Sequence, residues 1–139
     1  MKIYIGTRQI NDDSFKTVAE PQILNYLAED SECTTIIIDN ILKQSTIENA
    51  AMIIDLAVRK LRLGGSLLIN DIDFDLLTFI YEKNPDIISL NQMVSNTGGF
   101  KMFLTMDLTK QLVSRYNSLS LISSKINGLE FTLEYKRES

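Results

Sequence analysis

The chain has 139 residues, a size that fits one domain (1–139), and 45% of them are hydrophobic, enough for a packed core rather than a disordered chain. Its formal charge is −4 with Lys and Arg scattered, which argues against nucleic acid as a direct partner, since nucleic-acid binders carry a basic face. It contains no histidine, which removes Ser-His-Asp and Cys-His nucleophilic machinery in their usual forms and the commonest transition-metal ligand.

Lys2 to Gly6 alternates and stops at a glycine, as a short strand running into a turn does. Asn11-Asp12-Asp13-Ser14 is a polar turn, and Phe15 to Ala19 reads as a second strand closed by Glu20-Pro21. Ile23 to Leu27 fits either a short strand or a helical turn. Cys33 to Asp39 is β-branched and ends in a continuous apolar run, so a strand covered on both faces is expected. A helix follows, with Ser45 as N-cap and Glu48 as its capping-box partner, and with Ile47, Ala50, Ala51, Ile54, Leu56, Ala57, Val58 and Leu61 mostly on one face. Gly64-Gly65 is expected to end that helix, because glycine reaches the left-handed conformation of a C-cap.

Ser66 to Asn70 reads as another buried strand, and Phe74 to Lys83 as a helix stopped before Asn84-Pro85. The carboxylates of Asn70-Asp71-Ile72-Asp73 and Asp75 match no calcium loop and are read as caps of that helix; no metal site is expected. Ile87 to Val94 carries no clear period. Ser95 to Gly99 reads as a flexible loop, and Asp107 to Tyr116 as a helix capped near Thr105. The chain ends in a hairpin, Leu119 to Ile126 and Leu129 to Lys136, around Asn127-Gly128, a pair that tolerates positive φ. Alternating strands and helices imply parallel crossovers, and the hairpin adds an antiparallel strand, expected around Phe131 to Tyr135 between two neighbours. The lone Cys33 cannot close an internal disulfide, and no stretch has the length of a membrane span or the layout of a signal peptide. A cytoplasmic protein with no membrane contact is the resulting expectation.

Two blocks carry a family resemblance. Asp30-Ser31-Glu32-Cys33-Thr34-Thr35-Ile36-Ile37-Ile38-Asp39-Asn40-Ile41-Leu42 resembles the fourth-strand segment of small class I S-adenosylmethionine-dependent methyltransferases, of the type 11 kind. Val58 to Ile69 is similar to the next block of that family, with Leu63 in place of the usual proline before Gly64-Gly65, and the strand pair around Asn127-Gly128 matches the last two strands. The resemblance covers most of the chain from about Asp30 onward. It implies a three-layer α/β sandwich with a mostly parallel sheet, and S-adenosylmethionine as cofactor. The reaction it implies is methyl transfer to a small-molecule or polymer-linked acceptor.

The resemblance also implies site residues. Gly6 stands where the family has a glycine-rich loop against the amino-acid end of the cofactor; here that loop is degenerate, with Thr7, Arg8 and Gln9 following one glycine. Arg8 is either a partner for the cofactor's carboxylate or a solvated side chain. Glu20 either matches the acid that accepts from the ribose hydroxyls or is an exposed turn glutamate before Pro21, Asn25 falls near the adenine-reading position, and Asp39 and Asn40 line the methyl-transfer centre or simply turn the chain. The family's histidines near Asn40 are absent, Lys43 and Gln44 standing nearby, and no catalytic residue is assigned. The alternative is a methyltransferase-like binding or assembly module without catalysis. A flavodoxin-like or nucleotide-binding regulator fits less well, because the terminal hairpin does not belong there.

Overall fold

The computed structural model describes residues 1–96 and 99–139. Six strands form one sheet: β1 (Lys2–Ile5), β2 (Phe15–Val18), β3 (Cys33–Asp39), β4 (Leu61–Ile72), β5 (Leu119–Asn127) and β6 (Glu130–Arg137). Their order across the sheet is β2-β1-β3-β4-β6-β5. β1 pairs with β2 and β3 in parallel, and β3 with β4 likewise, whereas β6 is antiparallel to both neighbours. The antiparallel strand thus lies inside the sheet, between β4 and the edge strand β5, as the hairpin and the resemblance require. Strand order reverses direction at β1 and β3, and such a switch point opens a crevice at the carboxyl ends of the strands.

The helices are α1 (Leu24–Leu27), α2 (Ile47–Lys60), α3 (Phe74–Lys83), α4 (Ile87–Ser95) and α5 (Met106–Val113). Residues 23–27 are therefore helical, continuing a 3₁₀ turn begun at Pro21. The core lies between one face of the sheet and α1, α2 and α5. Ile3, Ile5, Ile36, Ile38, Leu67, Ile69, Phe131 and Leu133 meet Leu24, Ile54, Ala57 and Leu112 there. Strand residues of opposite phase face away from this core, and their composition is mixed: Thr35, Ile37, Ser66, Leu68, Thr132 and Glu134 are all half-buried. β3 is thus fully covered on one face only. No helix joins β1 to β2, so the layer on the opposite face is thin.

Three local features differ from expectation. Helix α2 is capped by Thr46, whose hydroxyl accepts from the Asn49 amide at 3.2 Å, one residue beyond Ser45. It leaves helical geometry at Leu61 (φ −78, ψ 129), which already pairs with Cys33, so Gly64-Gly65 is no C-cap. The glycines sit instead in an excursion of β4, because Cys33 opposes Leu61 while Thr35 opposes Ser66. Gly64 supplies φ +80, and Gly65 passes so close to β3 that a Cβ there would lie 3.0 Å from the Cys33 carbonyl oxygen. The terminal turn is centred on Gly128-Leu129, with Asn127 paired to Glu130 and positive φ at Gly128. Of the Ser95–Gly99 loop, Thr97 and Gly98 lie outside the described residues.

Candidate functional site

The polar residues of the molecule converge at the carboxyl ends of β1, β3 and β4. Asp39, the last residue of β3, is buried, and both of its oxygens are engaged. Its Oδ1 accepts from Asn40 Nδ2 at 2.8 Å and Asn70 Nδ2 at 2.7 Å; its Oδ2 accepts from the Tyr4 hydroxyl and faces Arg8 Nε at 3.5 Å. Tyr4 belongs to the phase of β1 that faces away from the core. Burial, followed by the bond to Asp39, pushes its hydroxyl well above the ordinary tyrosine range, so it remains a donor. Asn70 Oδ1 accepts in turn from the Thr132 hydroxyl at 2.9 Å, which ties β6 into the same network.

Asn40 holds φ 57, a left-handed conformation that asparagine tolerates better than most residues, and its amide bonds to the Asn70 carbonyl at 2.8 Å. Its side chain donates to Asp39 and, at 3.1 Å, to Glu130 Oε1. Glu130, at the start of β6, pairs with Arg8 through both guanidinium nitrogens. Arg8 therefore lies across the strand ends, fastening the segment after β1 to β3 and β6. This pairing outweighs burial, which acts the other way, and raises the guanidinium pKa further.

Beneath this layer is a second pair. Lys43 and Asp71 are both completely buried, with Lys43 Nζ 3.4 Å from Asp71 Oδ1 and donating at 2.8 Å to Asn40 Oδ1. Burial pushes the Asp71 carboxyl up and the Lys43 ammonium down, and their mutual attraction opposes both shifts. Of the carboxylates read as helix caps, Asp73 does cap α3, accepting from the Asp75 amide. Asp71 instead anchors the turn that carries Asn40. Composition gives no sign of this, because both charges come from segments that read as ordinary polar turns.

The structure brings Gly6, Asp39 and Asn40 together and leaves Glu20 and Asn25 to one side. Gly6 follows β1 directly, its amide donating to the Val18 carbonyl at 3.1 Å. The space above it holds the Tyr4 ring, 2.8 Å from where a Cβ would stand. A side chain at this position would have to displace the Tyr4 ring. Glu20 is exposed, extended and one residue before the 3₁₀ turn, with no capping bond. Asn25 is exposed and borders a groove of about 530 Å³ together with Pro21, Gln22 and Ile41; the groove runs on over the outer side of α2 toward Arg59. Tyr4, Asn70, Glu130 and Thr132 were not singled out in the sequence. The only signal for Tyr4 is its position out of phase with Ile3 and Ile5.

A crevice at a switch point and an antiparallel strand inside an otherwise parallel sheet define the class I methyltransferase fold. Solved structures bear this out. The chain is similar to an O-methyltransferase family protein from Burkholderia thailandensis (TM-score 0.61, 16% identity, covering 90% of this chain and 36% of that one). It is similar to a SAM-dependent methyltransferase from Methanosarcina mazei (0.59, 14%, 89% and 66%). It also resembles magnesium protoporphyrin IX methyltransferase from Synechocystis PCC 6803, solved with bound SAH (0.57, 14%, 89% and 51%). The chain therefore spans between about a third and two thirds of the length of these proteins. No family model and no curated protein matches the sequence.

The residues implied for S-adenosylmethionine differ in what they leave open to a ligand. Glu20 and Asn25 are both exposed, Glu20 makes no side-chain capping bond, and Asn25 borders the groove. The Gly6 amide is bonded to β2, the Tyr4 ring fills the space above it, and Asp39 accepts from three side chains and faces Arg8. The Arg8 side chain, 42% exposed, is held by side-chain pairing alone among the described residues.

Proposed function

We propose that this chain is a methyltransferase-type domain that binds S-adenosylmethionine and transfers its methyl group to an acceptor, small or polymer-linked. The observation that carries this reading is the sheet itself: a switch-point crevice beside an inserted antiparallel strand, the frame shared with the methyltransferases above. The cofactor, when bound, supplies a methyl group on a sulfonium that is already a good leaving group, so the protein's task is to place donor and acceptor in line. Glu20 accepts from the ribose hydroxyls, since an ionised carboxylate only accepts. Asn25 reads the adenine amino group through its side-chain carbonyl. Arg8 releases Glu130 and takes the carboxylate, while Asp39 and Asn40 border the sulfur end as a rigid frame. The chain's lone cysteine, Cys33, is buried and its thiol pushed up by burial, which suits the reducing cytoplasm we propose as its compartment.

A second reading is a binding or assembly module of the same fold without catalysis. It is favoured by the occupied Gly6 amide and by the segment from Gly6 to Ser14, which has no helix to point its amides at a ligand. Calorimetry with S-adenosylhomocysteine separates the two. Under the first reading the wild type gives a saturable heat, and Glu20→Gln weakens binding by about 1–3 kcal/mol, the worth of a charge-assisted hydrogen bond. Neither heat nor melting shift at millimolar ligand would leave the second reading. Binding indifferent to Glu20→Gln would keep the first and move the ribose elsewhere.

A further inference from the structure

Helices α3 and α4 stand apart from the core. α3 contains no buried residue and α4 only Leu90, yet both are rich in apolar side chains. Between them lies a cleft of about 280 Å³. Phe74 and Phe100 meet edge to face at one side of it, their rings 6.4 Å apart and at 90°, and Leu77, Leu90 and Val94 form its walls. Thr78, Tyr81 and Asn91 are the residues of the lining that carry polar groups, and no charged side chain belongs to it among the described residues.

The cleft is joined to the carboxyl-end network by short connections. Phe74 follows Asp73, whose amide bonds to the Leu129 carbonyl beside Glu130. Phe100 precedes Lys101, whose amide donates to the Lys43 carbonyl at 2.6 Å, and Lys43 holds Asn40. We propose that the α3–α4 cleft is a binding site for an uncharged, largely apolar small molecule of one or two rings. Resting on the methyl-transfer reading, it would hold the apolar part of the acceptor.

Three observations fix the ligand's chemistry. A lining without charge cannot compensate an ion taken out of water, so a charged molecule is disfavoured there. The volume exceeds the roughly 150 Å³ of a cavity that takes benzene and stays below the larger pockets of drug-sized ligands. Aromatic walls with a few hydroxyl and amide groups at the rim orient a flat molecule with one polar substituent.

The test uses N-phenyl-1-naphthylamine, a neutral two-ring fluorophore, titrated into the whole chain. A saturable rise at one probe per chain is expected, with a sulfonated naphthylamine of like size binding at least tenfold more weakly. Thr78→Asp places a charge in the lining on an exposed helical position and should weaken the neutral probe at least tenfold. Phe79→Asp, on the same helix but outside the lining, should leave it unchanged. No saturable rise would overturn the site, as would equal loss in the two variants, equal affinity for the sulfonate, or a chain dimer that seals the cleft. Failure of the methyl-transfer reading looks different: S-adenosylhomocysteine gives no heat while the probe still titrates.

Discussion

Gly64 and Gly65 are adjacent, yet the structure needs them for different reasons. Gly64 has φ +80 and nothing within 4 Å of the Cβ it lacks, so an alanine there meets only the left-handed backbone cost, about 1 kcal/mol. At Gly65 a Cβ would stand 2.9 Å from the Arg62 carbonyl oxygen and 3.0 Å from that of Cys33, both backbone atoms. Gly65→Ala should therefore lower the urea midpoint clearly further than Gly64→Ala, and the reverse order would mean that β4 does not press against β3 at Gly65. Tyr116 offers a test by pH. Burial, aided by its 3.1 Å bond to Asp55, raises its pKa from the ordinary 10.0 to about 12. A raised folded-state pKa means that the unfolded chain loses this proton first, so the stability it contributes is complete below about pH 10 and is lost as pH rises toward about 12. Urea melts across that window should fall more steeply for the wild type than for Tyr116→Phe.

At the scale of elements, what the sequence announced were the pieces whose side chains repeat with the backbone. The alternation of β1, the β-branched run of β3 and the apolar stripe of α2 appear as expected, and the terminal hairpin forms with its turn one residue further along. The ends of these pieces were less legible, because neighbouring residues can do the same chemical job. Ser45 and Thr46 are both hydroxyl residues before α2, and only the register of Asn49 decides between them. Thr46→Ala should cost about 1 kcal/mol as a lost N-cap. Ser45, whose hydroxyl merely donates to the Ile41 carbonyl at 3.1 Å, should cost less when replaced by alanine; thermal melts of the two variants would show the order. The polar network was legible only in part for a related reason. Asp39 and Asn40 announce themselves at a strand end, whereas Tyr4, Asn70 and Glu130 acquire their role from strand order, which brings β1, β4 and β6 together from distant parts of the chain.

Across the whole molecule the same sheet has two unlike faces. Parallel strands are usually buried on both sides and read as continuous apolar runs. The run of β3 reads that way at Ile36-Ile37-Ile38, which is why full coverage was expected, but the neighbours of Ile37 on its own face are Tyr4 and Leu68, with Thr35, Ser66, Thr132 and Glu134 around them. A face so mixed in polarity can meet water, which fits the lack of a helix between β1 and β2. The asymmetry should appear in the energetics of three consecutive isoleucines. Ile36 and Ile38 are wholly buried against the helices, so alanine at either should cost about 2–5 kcal/mol, transfer and cavity together. Ile37, half-buried on the thinner face, leaves less of a cavity, and Ile37→Ala should cost about half of that or less. Urea denaturation of the three variants decides it. Equal losses would mean that a covering layer shields Ile37 in solution as completely as α2 shields its neighbours, and that the sheet works with both faces closed.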